Sequence, residues 1–301
     1  MRSSAPLVVR TLVGAFLASI TLTISNTSWA GSSVSASGDP YSSAIVIEAD
    51  TNQVLHAENA DKPVYPASIV KLMTLRVVLD KIESGELSLD DKVTATAEAA
   101  RMGGSQVYLA ENEVFAVDDL LYALMIQSAN DAAMALALHI GGTKAGFVAM
   151  MNERAVALGM RQTNFTSPHG LPPSRGGAAD VTTARDVAKL ARSVVRDPLT
   201  LHYSSTLHRE FRDGKFDLRS HNELLKSYEG CDGLKTGYYR RAGFSIAATA
   251  RRNSVRVIAI VMGSRSSHTR DLNAARLLTL GFDRAPELFA AAVGPPLPPS
   301  N

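Results

Sequence analysis

The chain has 301 residues, 46% of them hydrophobic, with 31 Lys+Arg against 29 Asp+Glu and a single cysteine. One cysteine excludes a disulfide-stapled module, and the apolar share excludes a disordered chain. A net charge of +2 lacks the basic excess that nucleic-acid binding shows, so what is left is a globular protein of one large domain or two small ones.

The first thirty residues hold Arg2 and Arg10 and no acid, then an apolar run from Leu12 to Ile24, then Ser28-Trp29-Ala30 before Gly31. A basic start, an apolar stretch too short to span a bilayer and small residues at the cleavage positions make residues 1–30 a secretory signal peptide rather than an uncleaved anchor. Its removal leaves residues 31–301 with equal numbers of basic and acidic side chains. Cys231 can then form no internal disulfide, and stability rests on packing. Its place in the apolar approach to Gly233-Leu234-Lys235 predicts a buried core thiol rather than a reactive one.

A Ser/Gly-rich leader over 31–38 precedes a domain over 39–283. Ala44-Ile45-Val46-Ile47 and Val54-Leu55-His56-Ala57 flank Asp50-Thr51-Asn52, a hairpin pattern. Pro66-Ala67-Ser68 then opens a helix, with apolar residues at Leu72, Leu75, Val78, Leu79 and Ile82 and a stop at Gly85. Further helices are predicted over 117–126, 131–140 and 147–158. Residues 163–180 are rich in Pro, Gly and Ser without periodicity, which predicts a long functional loop. A second hairpin over 244–262, turning at 251–254, precedes a helix over 269–280, and 284–301 reads as a loose Pro-rich tail. Strands at both ends with helices between predict one mixed α/β domain around a largely antiparallel sheet.

Ser68-Ile69-Val70-Lys71 places a hydroxyl and an amine three apart on one helix face, where the amine can take the hydroxyl proton if burial or a neighbouring cation lowers its pKa. The spacing alone carries little, since chance yields about one S-x-x-K in a chain of this composition. Lys235-Thr236-Gly237 is rarer, with roughly 0.04 occurrences expected. At the opening of a strand it offers a cation and a hydroxyl to a carboxylate, and its glycine lets a bound peptide approach the backbone. The alternative is a plain turn entering a strand. Ser128-Ala129-Asn130 sits between two predicted helices, but Ser220-His221-Asn222 repeats its spacing, and only position and chain order favour Ser128.

The ordered set Ser68-x-x-Lys71, Ser128-x-Asn130, Lys235-Thr236-Gly237 resembles that of the penicilloyl-serine transferases. Longer matches narrow it: Pro66 to Thr74, Leu120-Leu121-Tyr122-Ala123-Leu124, Ser128 to Ala133, Met151-Asn152, His169-Gly170-Leu171, Thr183-Ala184-Arg185-Asp186 and Asp232 to Gly237 are similar to the low-molecular-mass D-alanyl-D-alanine carboxypeptidases. The resemblance spans roughly residues 39–282. It implies a β-lactamase/transpeptidase-like fold, with a largely antiparallel five-stranded sheet, helices packed on it and a helical subdomain. It further implies that Ser68 attacks the carbonyl between two terminal D-alanines of a peptidoglycan stem peptide, with Lys71 as general base and Ser128 relaying a proton to the leaving amine. Asn130 would hold Lys71 and the substrate amide, Lys235 and Thr236 the terminal carboxylate, and the N–H groups of Ser68 and Tyr238, beside Gly237, the oxyanion. No metal or cofactor is implied. The expected partners are stem peptides and, as covalent inhibitors, β-lactams, in the periplasm or cell envelope after export across the inner membrane.

Ala129 stands where relatives often carry Gly, a tolerable change in an ordinary backbone region. His221 stands where relatives often carry Arg or Lys. If it holds the carboxylate, binding weakens as pH rises through the His range; otherwise it is a surface histidine on a strand. Relatives with a C-terminal β-rich domain and amphipathic anchoring helix are longer, and neither feature is evident here. A β-lactamase is disfavoured because the loop over 163–185 has no Glu and only Asp180 as an acid, which predicts slow release of penicillin. A D,D-endopeptidase that cleaves cross-links shares all these motifs and stays open, and a non-catalytic envelope scaffold is a third reading. No H-E-x-x-H supports a metallopeptidase and no G-x-S-x-G a Ser-His-Asp hydrolase, so His169 is expected to shape its loop.

Overall fold

Apolar runs on β-prone segments at both ends of the domain assemble into one sheet, in a computed structural model that describes residues 40–172 and 177–293 besides Met1, the stretch 286–293 by backbone alone. The predicted signal peptide and leader therefore lie outside the described residues, as does the Pro-rich segment from 294.

In chain order, strands β1 (Ser43–Glu48) and β2 (Val54–Glu58) form the first hairpin, and a 3-10 turn (Ala67–Val70) leads into α1 (Lys71–Glu83). β3 (Lys92–Thr94), α2 (Ala97–Ala100), β4 (Val114–Ala116), α3 (Val117–Met125), α4 (Asn130–Gly141) and α5 (Lys144–Ala157) follow. After the long loop come α6 (Ala184–Val194), α7 (Pro198–Ser204), β5 (His208–Phe211), β6 (Phe216–Arg219) and α8 (Leu224–Ser227). Strands β7 (Cys231–Tyr239), β8 (Gly243–Arg252) and β9 (Val255–Ser264) and helix α9 (Ser267–Val293) complete the domain.

The five-stranded sheet has the order β2-β1-β9-β8-β7, and every pairing in it is antiparallel. Both faces are covered, so its central strands are apolar at successive positions. Ile45, Ile47, Ala247, Ile258 and Ile260 join the large core built with α1, α3, α4 and α6, while Val46, Ile246, Ala248 and Val257 pack against Leu277 and Leu278 of α9. Gly281 allows that second contact: a Cβ there would lie 2.5 Å from Val257 Cγ1 and 2.9 Å from Val46 Cγ1. The same close packing carries α9 past residue 284, where the sequence places the start of a tail, with Ala285 buried and the helix ending at Val293.

The helical layer holds the site. Residues 130–137, the first two turns of α4, are buried on all sides, which makes α4 the hydrophobic axis against which α1, α3 and α5 pack. β7 is an edge strand of the sheet, and the 3-10 turn before α1 lies against it.

Candidate active site

Ser68 is the second residue of the 3-10 turn, and two glycines press on that turn. A Cβ on Gly170 (φ +77°) would fall 2.0 Å from the Ala67 carbonyl oxygen, and one on Gly237 would fall 2.8 Å from the Pro66 carbonyl and 3.1 Å from the Ser68 amide nitrogen. Gly237 thus has a packing role besides the one expected of it. Its missing side chain lets the strand reach the serine turn, and the motif lies in the middle of β7 rather than at its opening. Ala67 itself has φ +48°, a left-handed conformation that side chains resist.

Lys71, the first residue of α1, is fully buried. Its Nζ lies 3.1 Å from Ser68 Oγ, 2.7 Å from Asn130 Oδ1 and 2.7 Å from the His169 carbonyl oxygen. Burial, and then the charge of Lys235, push its pKa well below the ordinary lysine range, against weaker opposing fields from Asp131 and Asp180. Asn130 opens α4 and is fixed at both ends of its amide: Nδ2 donates to the Gly103 carbonyl at 2.7 Å, so Oδ1 must face Lys71. Its backbone N–H donates to the Ser105 carbonyl at 2.8 Å. Ser128 is buried in the bend between α3 and α4 with φ +61°, whereas Ala129 has φ −62° and ψ 123°, the ordinary region in which alanine replaces glycine without strain.

Lys235 pairs across the sheet with Ala247, a residue of the helical-side core, so its side chain turns toward Lys71; Thr236 pairs with Ile246 of the α9-side cluster and faces the other way. Lys235 Nζ donates to the Thr236 carbonyl at 2.9 Å, and burial followed by the charge of Arg270 pushes its pKa down to about 7. Ser68, Ser105, Ser128, Thr236, Gly237 and Arg270 open on one cleft of about 460 Å³. Tyr238 stands exposed at its mouth, stacked on Phe244 with ring centroids 4.0 Å apart.

The structure brings the sequence-predicted residues together, and the rival Ser220-His221 lines the same cleft. His221 is exposed on the loop between β6 and α8, not on a strand. Partial burial and the charges of Lys235 and Arg270 push its pKa down to about 4, so the ring is neutral where the sequence reading placed its titration. Cys231 is half-buried rather than buried, and burial pushes its thiol up to about 11, away from the reactive thiolate. Asp180 is occupied by its own loop, accepting from the backbone N–H groups of Thr166 (2.6 Å) and Ser167 (3.0 Å) and from Ser167 Oγ (2.7 Å). His169 contributes its carbonyl; burial, with the charge of Lys71, pushes its ring pKa down to about 3. Gly103, Ser105 and Arg270 escaped the sequence reading, the first because a backbone carbonyl leaves no residue-type signal.

The family model of the D-alanyl-D-alanine carboxypeptidases (Peptidase S11) matches residues 31–266. The chain belongs to this carboxypeptidase family. Among family members, it is 34% identical over 245 residues to the D-alanyl-D-alanine carboxypeptidase DacF of Bacillus subtilis, covering 80% of this chain and 62% of that protein. It spans about three fifths of the length of several such curated carboxypeptidases. A D-alanyl-D-alanine endopeptidase of Pseudomonas aeruginosa is 33% identical, with 78% of this chain and 75% of that protein covered. Among solved structures, penicillin-binding protein D2 of Listeria monocytogenes in its ampicillin-bound form superposes with a TM-score of 0.74 at 34% identity, covering 81% of this chain and 97% of that one. The fold class inferred from the motifs is thus the one observed.

Proposed function

We propose that this chain is a serine D-Ala–D-Ala carboxypeptidase that trims peptidoglycan stem pentapeptides and is acylated by β-lactams. The observation that carries the reading is Lys71: a buried amine 3.1 Å from Ser68 Oγ, with its two remaining hydrogens directed to Asn130 Oδ1 and the His169 carbonyl. As a neutral amine Lys71 keeps those two bonds and turns its lone pair to the serine. It takes the Ser68 proton as Oγ attacks the penultimate D-alanine carbonyl. The N–H groups of Ser68 and Tyr238 receive the oxyanion; the contact of Gly237 with the Ser68 amide supports that pairing, and losing one such donor costs on the order of 10²–10³ in rate. Ser128 hands the proton on to the leaving D-alanine nitrogen, the C–N bond breaks, and an ester on Ser68 remains for water to hydrolyse. Lys235 and Thr236 hold the terminal carboxylate. With Asp180 engaged by its loop, no acid from that loop drives the hydrolysis, so β-lactam esters persist. Ampicillin- and cefotaxime-bound relatives favour the same inhibitor class.

Residues 1–30 act as a signal peptide and the enzyme works in the periplasm or cell envelope. A second reading, D,D-endopeptidase, draws on the Pseudomonas relative, whose length this chain covers more fully than that of the curated carboxypeptidases. Fluorescent penicillin labels wild type and not Ser68→Ala; equal labelling overturns the nucleophile assignment. Product masses from pentapeptide monomers and cross-linked dimers then separate the two activities.

A further inference from the structure

The amide of Asn130 faces Lys71 only while the Gly103 carbonyl holds its other end, and Gly103 lies on a segment, residues 101–113, with almost no regular structure. Two charged side chains pin that segment from opposite sides. The buried Asp131 carboxylate, next to Asn130 on α4, accepts from the N–H groups of Val107 (3.1 Å) and Leu109 (3.0 Å). From the tip of the β5–β6 hairpin, Arg212 donates through Nη1 to the Val107 carbonyl and through Nη2 to the Tyr108 carbonyl at 2.7 Å. Its guanidinium is aimed by Glu113, with Nη2 to Oε2 at 2.6 Å, and lies 5.3 Å from the ring centres of both Phe115 and Phe211. At a backbone φ of +53°, which non-glycine residues resist, Arg212 is held where a bidentate donor reaches two successive carbonyls.

We propose that Arg212 is a positioning residue for acylation, acting through Asn130. It fixes 107–108, which fixes the preceding 103–105 stretch, whose carbonyls orient the Asn130 amide and N–H and so keep Oδ1 on Lys71. Arg212 lines no part of the cleft that Ser68 opens on. Released, the segment frees the Gly103 carbonyl, and Asn130 can turn its NH₂ toward Lys71, displacing the base from Ser68. The inference rests on the roles assigned to Ser68, Lys71 and Asn130 above.

The test is the rate constant of acylation by fluorescent penicillin, normalised to titrated active sites, for Arg212→Ala and Arg212→Lys in wild-type and Asn130→Ala backgrounds, with thermal unfolding recorded for each. A merely structural role lowers the unfolding temperature and the fraction of competent sites, but not the rate per competent site. The expected result is a loss of about tenfold or more for Arg212→Ala, since displacement of catalytic groups by an ångström costs on that scale or above. A smaller loss follows for Arg212→Lys, whose point charge cannot span two carbonyls. In the Asn130→Ala background either substitution adds less than about twofold, because the partner it acts through is gone. Wild-type rates per site, or losses that multiply in the double variant, overturn the inference. If Arg212→Ala does not fold, Arg212→Lys decides, an unchanged rate overturning it. Failure of the underlying catalytic reading is distinct: Ser68→Ala would then still be labelled.

Discussion

Two buried lysines, the first within the field of the second, cannot both carry a proton at low cost, and here each is depressed, Lys71 well below the lysine range and Lys235 to about 7. The roles proposed for them need opposite states, the first neutral and the second cationic. For a substrate ending in a carboxylate, kcat/KM should therefore rise with pH as Lys71 loses its proton. It should fall as pH climbs through about 7 and Lys235 loses its charge. A matched peptide ending in a carboxamide presents no anion to Lys235 and should show a lower plateau without that falling limb. An identical alkaline limb with both peptides would sink the assignment of Lys235. His221 sharpens the point, since a ring with its pKa pushed to about 4 offers no cation at neutral pH. His221→Arg should lower KM for the carboxylate peptide by roughly three- to tenfold with kcat unchanged, because a guanidinium forms charge-assisted bonds there. The carboxamide peptide should not notice the change.

At the scale of elements, two glycines make the same kind of close approach for different ends. Gly237→Ala puts a methyl 2.8 Å from the Pro66 carbonyl and 3.1 Å from the Ser68 amide, so edge strand and serine turn must part. Acylation should fall by about 10²-fold with little change in stability. Gly281→Ala instead drives a methyl into Val257 and Val46, and urea unfolding should report a loss of about 1–3 kcal/mol while the rate per folded molecule holds. Reversal of these two outcomes would mean that the wrong glycine was tied to catalysis. The same distinction explains what could be read beforehand. The hairpin around Asp50-Thr51-Asn52 and the helices α1, α3, α4 and α5 announce themselves because their apolar spacing matches burial on one or all sides. Helix α6 carries a local start signal, Thr183 capping the Asp186 N–H at 3.1 Å, while β5 and β6 are short and half-exposed and carry almost none. In the site, the side chains proposed to do the chemistry are legible as motifs. The carbonyls of Gly103 and His169 that aim them were not, since every residue type has a carbonyl and only the fold decides which ones converge.

Over the whole molecule, the formal charge of +2 equals the contribution of Arg2 and Arg10, so on the proposed removal of residues 1–30 the remaining chain is neutral and exerts no global pull on an anionic wall. On the proposed function, attraction for a carboxylate-ended peptide is local, set by buried Lys235 with the charge of Arg270 acting on it and poorly screened by salt. The same thirty residues hold Trp29, the sole tryptophan. Export with cleavage after Ala30 therefore changes the optical signature of the protein along with its charge. The mature form should emit from tyrosine alone when excited near the tyrosine absorption maximum and give essentially no emission at the red edge of protein absorption, where only tryptophan absorbs, and intact mass should begin at Gly31. The precursor made without export should retain tryptophan emission and two additional positive charges on native gels. Tryptophan fluorescence in envelope-extracted protein would place the cleavage before Trp29 or show that none occurs; an intact mass that still includes Arg2 and Arg10 would then overturn the neutral-enzyme picture.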